Sequence, residues 1–320
     1  MSMGADGRDR AGNAGGDTLE ARVVRYRDLQ PCTNAFIDAR TPGSDAKENF
    51  TIIGPGVAEN PDQHVHITEA HGFNIGGARQ PPHCINSQHS HDTAEVFVVH
   101  TGRWRFTFGE HGEDAQIEAG PGDIVSFPVH AFRGFENIGD DIGFLWSVLG
   151  GDDPGRVLWA PQVFEMASQY GLILLENGAL VDTTLGQTMP PGMNAMPVTS
   201  REAVAQLRRM RPEDKREIIA RPPSTATAGE CPVIGNGGAL PPAEGFTLAR
   251  LTLPPGAASE TSAPSTPEVV FVHDGAVQVR TPEGTVDLGK GDTMTVPRNL
   301  QRSYAALGKG AELVVVRGSD

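Results

Sequence analysis

Nine of the ten histidines fall between His64 and His130. The tightest group is the run HSHDTAE, which carries His89, His91 and Glu95. On a β-strand, side chains alternate between faces, so three odd-numbered positions project together. Two imidazoles and one carboxylate on a single face form the 2-His-1-carboxylate set that holds iron(II) and leaves coordination positions open. Taken singly, each histidine is better read as a hydrogen-bonded core residue or part of a solvated strand. Taken together, with strand patterns on both sides, they point to a divalent metal. The run HVHITEA places His64, His66 and Glu69 on the preceding strand. Its histidine-to-glutamate spacing is one residue short, so it reads as a decoy.

The elements that must position such a cluster are short strands. The chain has 320 residues, with 39 Gly and 25 Pro spread without period, which fits many strands joined by tight turns. Apolar or alternating runs recur from Val23 to Leu149 (EVFVV, RWRFTF, DIVSF, GFLWSVL) and again in the last third (FTLARLTL, EVVFV, DTMTV, AELVVV). Trp104, Phe106, Phe127 and Trp146 fall on these strands and read as core. A helix is expected from Pro161 to a Gly171 cap, and a second from Thr199, with Glu202 completing a capping box; EDKREIIA is a further helical patch after Pro212. The expected organisation is a disordered tail over 1–20, a first barrel with its helix over 21–195, a helical linker over 196–230 and a second barrel over 231–320.

A repeat supports two copies of one barrel. EVFVVHTG (95–102) answers EVVFVHDG (268–275), and GDIVSFP (122–128) answers GDTMTVP (291–297). Arg133 and Arg302 each follow the proline of their copy by five residues. In the second copy Ser262, Pro264 and Glu268 align with His89, His91 and Glu95, and Asn299 aligns with His130. One carboxylate will not hold a transition metal, so the second barrel reads as structural or as an interface.

These residues resemble the cupin family. Its first motif, G-x5-H-x-H-x3-E-x6-G, is matched by His89, His91, Glu95 and Gly102, with His83 in place of the leading glycine. Its second, G-x5-P-x-G-x2-H-x3-N, is matched by Gly122, Pro128 and Asn137. Arg133 stands where that motif has its ligand histidine, and His130 where it has glycine. The resemblance implies an all-β fold of two jelly-roll-like cupin barrels with a few short helices. It also implies one metal, Fe(II) ahead of Mn, Ni or Zn. The fourth ligand is open: His130 swings in from its turn, or the site has three ligands. Arg133 cannot ligate, because guanidinium has no free lone pair. It either forks an anionic substrate group or forms a salt bridge, with Glu136 or the 139–141 loop as candidate partners.

The resemblance extends to single-site bicupin dioxygenases. It implies an iron oxygenase that takes O2 and a small phenolic or enolic anion. The alternatives are a redox-neutral lyase, decarboxylase or isomerase, and a non-enzymatic metabolite-binding protein. The net charge of -14 disfavours nucleic acid and anionic membranes. Three scattered cysteines imply no disulfide framework. With no apolar leader and no apolar stretch of membrane length, a cytoplasmic protein is expected, and the unused barrel suggests a homodimer or higher homo-oligomer.

Overall fold

The computed structural model describes residues 18–224 and 227–319, which form two β-barrels packed on one another. The first barrel faces two sheets together. One orders the strands Val157–Trp159, Ile85–His91, Arg133–Asn137, Trp104–Phe108 and Ala115–Ala119. The other orders Ile219–Ala220, Ile124–Phe127, Glu95–Thr101, Gly143–Gly150, Phe73–Gln80, Glu48–Ile53 and Val65–Ile67. The second barrel is built on Thr293–Val296, Glu268–Thr281, Ser303–Gly318, Phe246–Leu253 and Gly229–Ile234. The α-helices are short, Pro161–Gln169 and Arg201–Gln206.

The run EVFVV has no polar alternation because its strand is buried on both faces. Phe97 and Val99 join Trp104, Phe106, Phe127 and Phe135 in the interior of the first barrel. Val96 and Val98 point the other way, into a second core shared with Val269, Phe271, Val314 and Val316 of the second barrel. Trp146 stacks on Phe271 across this seam at 4.8 Å and donates its indole N–H to Thr293. The second copy is thus retained as an internal packing surface, covering a sheet face that would otherwise be exposed.

The repeat is exact enough to be read in backbone hydrogen bonds. Val99 N–H donates to Asp123 and Val272 N–H to Asp292; His130 N–H donates to His91 and Asn299 N–H to Pro264. Each barrel also receives an edge strand from the segment leading into the other. Val23–Val24 pairs with Thr293 and Met294 of the second barrel, and Ile219–Ala220 pairs with Ile124 and Val125 of the first. Arg25 and Arg221 follow these strands and bind the equivalent Asp292 and Asp123, at 2.8 and 2.7 Å.

The exchange redraws the expected boundaries. Leu19, assigned to the tail, is buried in the second barrel's core, while residues 1–17 of that tail lie outside the described residues. The expected linker over 196–230 contributes a strand to each barrel. EDKREIIA gives only a short 3-10 segment, Pro212–Glu217, because Ile218 is drawn into the first barrel's interior. The second helix is capped by Ser200 rather than Thr199, whose hydroxyl donates to the Trp159 carbonyl. The first helix ends as expected, with Gly171 at φ 81°.

Candidate metal centre

His89 and His91 end the strand Ile85–His91, and Glu95 opens the strand Glu95–Thr101. These strands lie in different sheets, so the cluster forms across the barrel rather than on one strand face as the spacing suggested. The turn at 92–94 carries the chain from one sheet to the other. His89, His91 and Glu95 are all buried, and each brings a ligand atom within 4.8 Å of the others. They are the one such group found among the described residues.

The imidazoles are set up as neutral donors. His89 Nδ1 lies 2.7 Å from the Ser87 carbonyl, which only accepts, so Nδ1 carries the proton and Nε2 is left with its lone pair. Burial, reinforced by the charge of Arg133, lowers the His89 pKa to about 3. The same causes hold His91 well below the ordinary histidine value. His91 Nε2 faces Glu95 Oε1 at 3.6 Å. Two neutral imidazoles and one carboxylate are a fitting donor set for a divalent first-row ion.

Behind His89 lies a support that its sequence neighbourhood did not reveal. Lys47 and Asp38 form a fully buried ion pair. Asp38 accepts the Ser87 N–H at 3.0 Å, so it holds the peptide unit next to the carbonyl that orients His89. Lys47 also donates to Asn86 at 3.0 Å. Burial drives the Asp38 pKa up, but Lys47 and the Ser87 amide outweigh it and leave the carboxyl below its ordinary value. Trp159 packs on the His89 ring at 5.3 Å and donates to buried Glu59, whose pKa burial raises to about 8. An apolar lysine stem and a lone Asp in a loop carry no motif, so sequence reasoning had nothing to find here.

His130 does not join the cluster. Its side chain is 56% exposed and faces Asp92 at 3.4 Å. The cause is the backbone: His130 has φ 58° and its counterpart Asn299 φ 61°, the left-handed turn for which the family motif uses glycine. His83, at the first motif's glycine position, is likewise left-handed at φ 62° and exposed. Arg133 forms a salt bridge, one of its two expected roles, but with another partner than those expected. It is 1% exposed and donates Nε and Nη2 to Glu95 Oε2 at 3.1 and 2.5 Å, with its guanidinium over the Phe127 ring. Glu136, offered as a partner for it, pairs with Arg105 instead. The decoy stays apart: His66 bonds to the Thr51 carbonyl, and His64 is exposed. Cys84 is buried, its thiol pushed up to about 11, which leaves it unreactive.

The cluster opens on a cavity of about 60 Å³ between the two sheets. Its walls are largely apolar, with Phe36, Phe50, Phe97, Phe135 and Trp159 among them. No lysine or arginine among the described residues lines it; Arg133 lies behind Glu95. Among the described residues no helix is long and apolar enough to cross a membrane.

Residues 78–148 match the model of the cupin domain, and no curated protein sequence matches the chain. Solved structures do. The oxalate decarboxylase of Lactobacillus farciminis in complex with formate has a TM-score of 0.59 at 12% identity, covering 94% of this chain and 86% of that one. A tryptophan-to-phenylalanine variant of the Bacillus subtilis oxalate decarboxylase has a TM-score of 0.55 at 14% identity, covering 93% and 77%. A structure of the same Bacillus subtilis enzyme, addressing its Mn(II) centres, gives 0.57 at 13%, covering 93% and 77%. Identities this low speak to the fold. Fold and site together define a two-barrel β-protein with a buried cluster in one barrel that could hold a metal ion. Residues 78–148 carry a cupin domain, and the chain as a whole has the two-barrel fold of the oxalate decarboxylase structures it resembles.

Proposed function

We propose that the first barrel is a divalent-metal enzyme acting on a small carboxylate by redox-neutral chemistry, as a decarboxylase or related lyase. The observation that carries this reading is the size and lining of the cavity at His89, His91 and Glu95. A cavity of about 150 Å³ is what holds benzene, and this one offers about 60 Å³. A phenolic ring is too large, whereas a substrate of a few heavy atoms fits. Charge selects the same class. A divalent ion and Arg133 together outweigh the single carboxylate of Glu95, and apolar walls supply no counter-charge, so the bound molecule must be an anion.

When bound, the metal supplies Lewis acidity toward a coordinated carboxylate. The chain supplies the rest. His89 and His91 donate as neutral imidazoles, and Arg133 fixes the rotamer of Glu95. The Phe36, Phe50 and Phe97 walls exclude water, which strengthens electrostatic interactions inside. Manganese joins iron as a preferred ion, since histidine and carboxylate donors do not discriminate strongly between them. A second reading, an iron oxygenase for a small non-aromatic anion, draws on the same 2-His-1-carboxylate set. We also expect a homo-oligomer, to be checked by light scattering.

The test is metal analysis of protein purified without oxygen, followed by incubation with one- to four-carbon carboxylates while CO2 release and O2 uptake are recorded together. Release of CO2 without matching O2 consumption supports the lyase. Consumption of O2 at every turnover overturns it in favour of the oxygenase, and no turnover of any acid removes both.

A further inference from the structure

We propose that Arg133 is a resident counter-ion that neutralises Glu95 whenever the metal is absent, so that the barrel folds empty or loaded, and that it does so by competing with the metal for the same carboxylate. The inference rests on the metal reading of the site above. Its grounds are a comparison between the two barrels of this chain.

In the second barrel, Arg302 pairs with Glu268 as Arg133 pairs with Glu95, but it spans the carboxylate, with Nε on Oε1 at 2.7 Å and Nη2 on Oε2, whereas both Arg133 nitrogens sit on Oε2 of Glu95. Ser262 bridges to Arg302 where His89 bridges to Arg133, so the positions correspond. That barrel has no imidazole ligands, yet the pair is buried and intact. The arginine–glutamate pair is therefore how this fold accommodates the carboxylate at that strand position without a metal.

The two pairs differ in what else reaches the carboxylate. Glu268 also receives the Tyr304 hydroxyl at 2.6 Å on Oε1 and Arg317 Nε at 2.6 Å on Oε2, so both of its oxygens are saturated by protein donors. The corresponding first-barrel positions are apolar. Phe135 stands two residues after Arg133, as Tyr304 does after Arg302. Leu149 is the ladder partner of Glu95, as Arg317 is of Glu268. Both Phe135 and Leu149 line the cavity. In consequence Arg133 occupies Oε2 alone, and Oε1 is left facing His91 and the cavity. The first barrel keeps one carboxylate oxygen open, where the second has closed both with its own cations and a phenol.

A buried carboxylate stripped of its only cation is strongly disfavoured, and any cation that then binds is favoured by the same interaction. By linkage, a residue that neutralises Glu95 must weaken the metal, and the metal must weaken that residue's hold.

The experiment compares wild type, Arg133→Met and Phe135→Tyr by melting temperature and Mn(II) titration, each with and without chelator, and no turnover assay is involved. Chelated wild type should melt cooperatively. Arg133→Met should melt lower when chelated and gain more from saturating Mn(II) than wild type gains. Phe135→Tyr, which offers Oε1 a protein donor, should keep its chelated melting temperature and lose roughly 10- to 100-fold in Mn(II) affinity. A Mn(II)-induced shift in Arg133→Met no larger than in wild type overturns the proposal, as does unchanged affinity in Phe135→Tyr. If Arg133→Met cannot be obtained folded in either condition, the Phe135→Tyr result decides alone. Absence of Mn(II), Fe(II) or Zn(II) binding by wild type removes both this proposal and the metal reading. Binding as described without decarboxylation removes only the proposed reaction.

Discussion

Lys47→Met is the sharpest test of how the site is supported. Lys47 and Asp38 are fully buried, so bulk solvent reaches neither charge. The substitution leaves Asp38 with the Ser87 N–H at 3.0 Å and the Ser44 hydroxyl at 3.3 Å, but no positive charge. Removing one partner of a buried ion pair costs about 3–5 kcal/mol. At about 2–4 °C per kcal/mol for a domain of this size, the melting temperature should fall by roughly 6–20 °C. Because Asp38 fixes the Ser87 peptide that orients His89, metal affinity in the surviving folded protein should fall as well, by about 10- to 100-fold. Asp38→Asn combined with Lys47→Met removes both charges and should recover most of the stability, giving a coupling energy above about 2 kcal/mol in a double-mutant cycle. Denaturant unfolding of the four proteins, with Mn(II) titration of each, provides the measurement. A Lys47→Met variant within about 1 kcal/mol of wild type, or a coupling energy below about 0.5 kcal/mol, refutes the reasoning.

Other outcomes follow from the same geometry. His130→Ala should leave metal content unchanged and shift stability by no more than about 0.5 kcal/mol, since the side chain is exposed; elemental analysis and a melt check it. Glu268→Ala should destabilise by about 3–5 kcal/mol in denaturant unfolding, because Arg302 loses its buried partner, while first-barrel metal content stays the same. The seam carries a pH dependence. His100 and His273 occupy equivalent repeat positions with ring centroids 5.5 Å apart; burial, with the charge of His273 added, lowers His100 to about 3, and burial, with the charge of Lys290 added, lowers His273 to about 4. Below pH 6.5 the unfolded chain takes up protons that the folded seam refuses, so stability falls as pH drops from 6.5 toward 3. His100→Phe, among the rings of Tyr26, Phe144 and Phe271, should make that decline shallower in melts across pH 4–7.

Much of this was legible in residue order because the repeat constrains it. The equivalence of Arg133 with Arg302 and of His130 with Asn299 was set by spacing from a shared proline, and the hydrogen bonds agree with it. That His89, His91 and Glu95 come together was legible from the spacing within HSHDTAE, although their geometry was not. Counting odd positions from His89 to Glu95 assumes an unbroken strand, and the turn at 92–94 breaks it. What misled was chemistry read without backbone. His130 has the right side chain for a ligand, but it replaces a glycine that the turn needs at positive φ, and that turn directs the imidazole outward. Arg133 was weighed against substrate, Glu136 and the 139–141 loop, while its partner was Glu95 of the cluster. The strand exchange through Val23–Val24 and Ile219–Ala220 was beyond reach, because two-residue edge strands carry no periodicity.

The central claim is that one barrel holds a metal through His89, His91 and Glu95 and the other holds none. Elemental analysis of protein purified without oxygen, wild type beside His91→Ala, tests it most directly. The account predicts one divalent ion per wild-type chain and essentially none in His91→Ala, with both proteins folded. Two ions per wild-type chain, or an ion retained after His91→Ala, would contradict it.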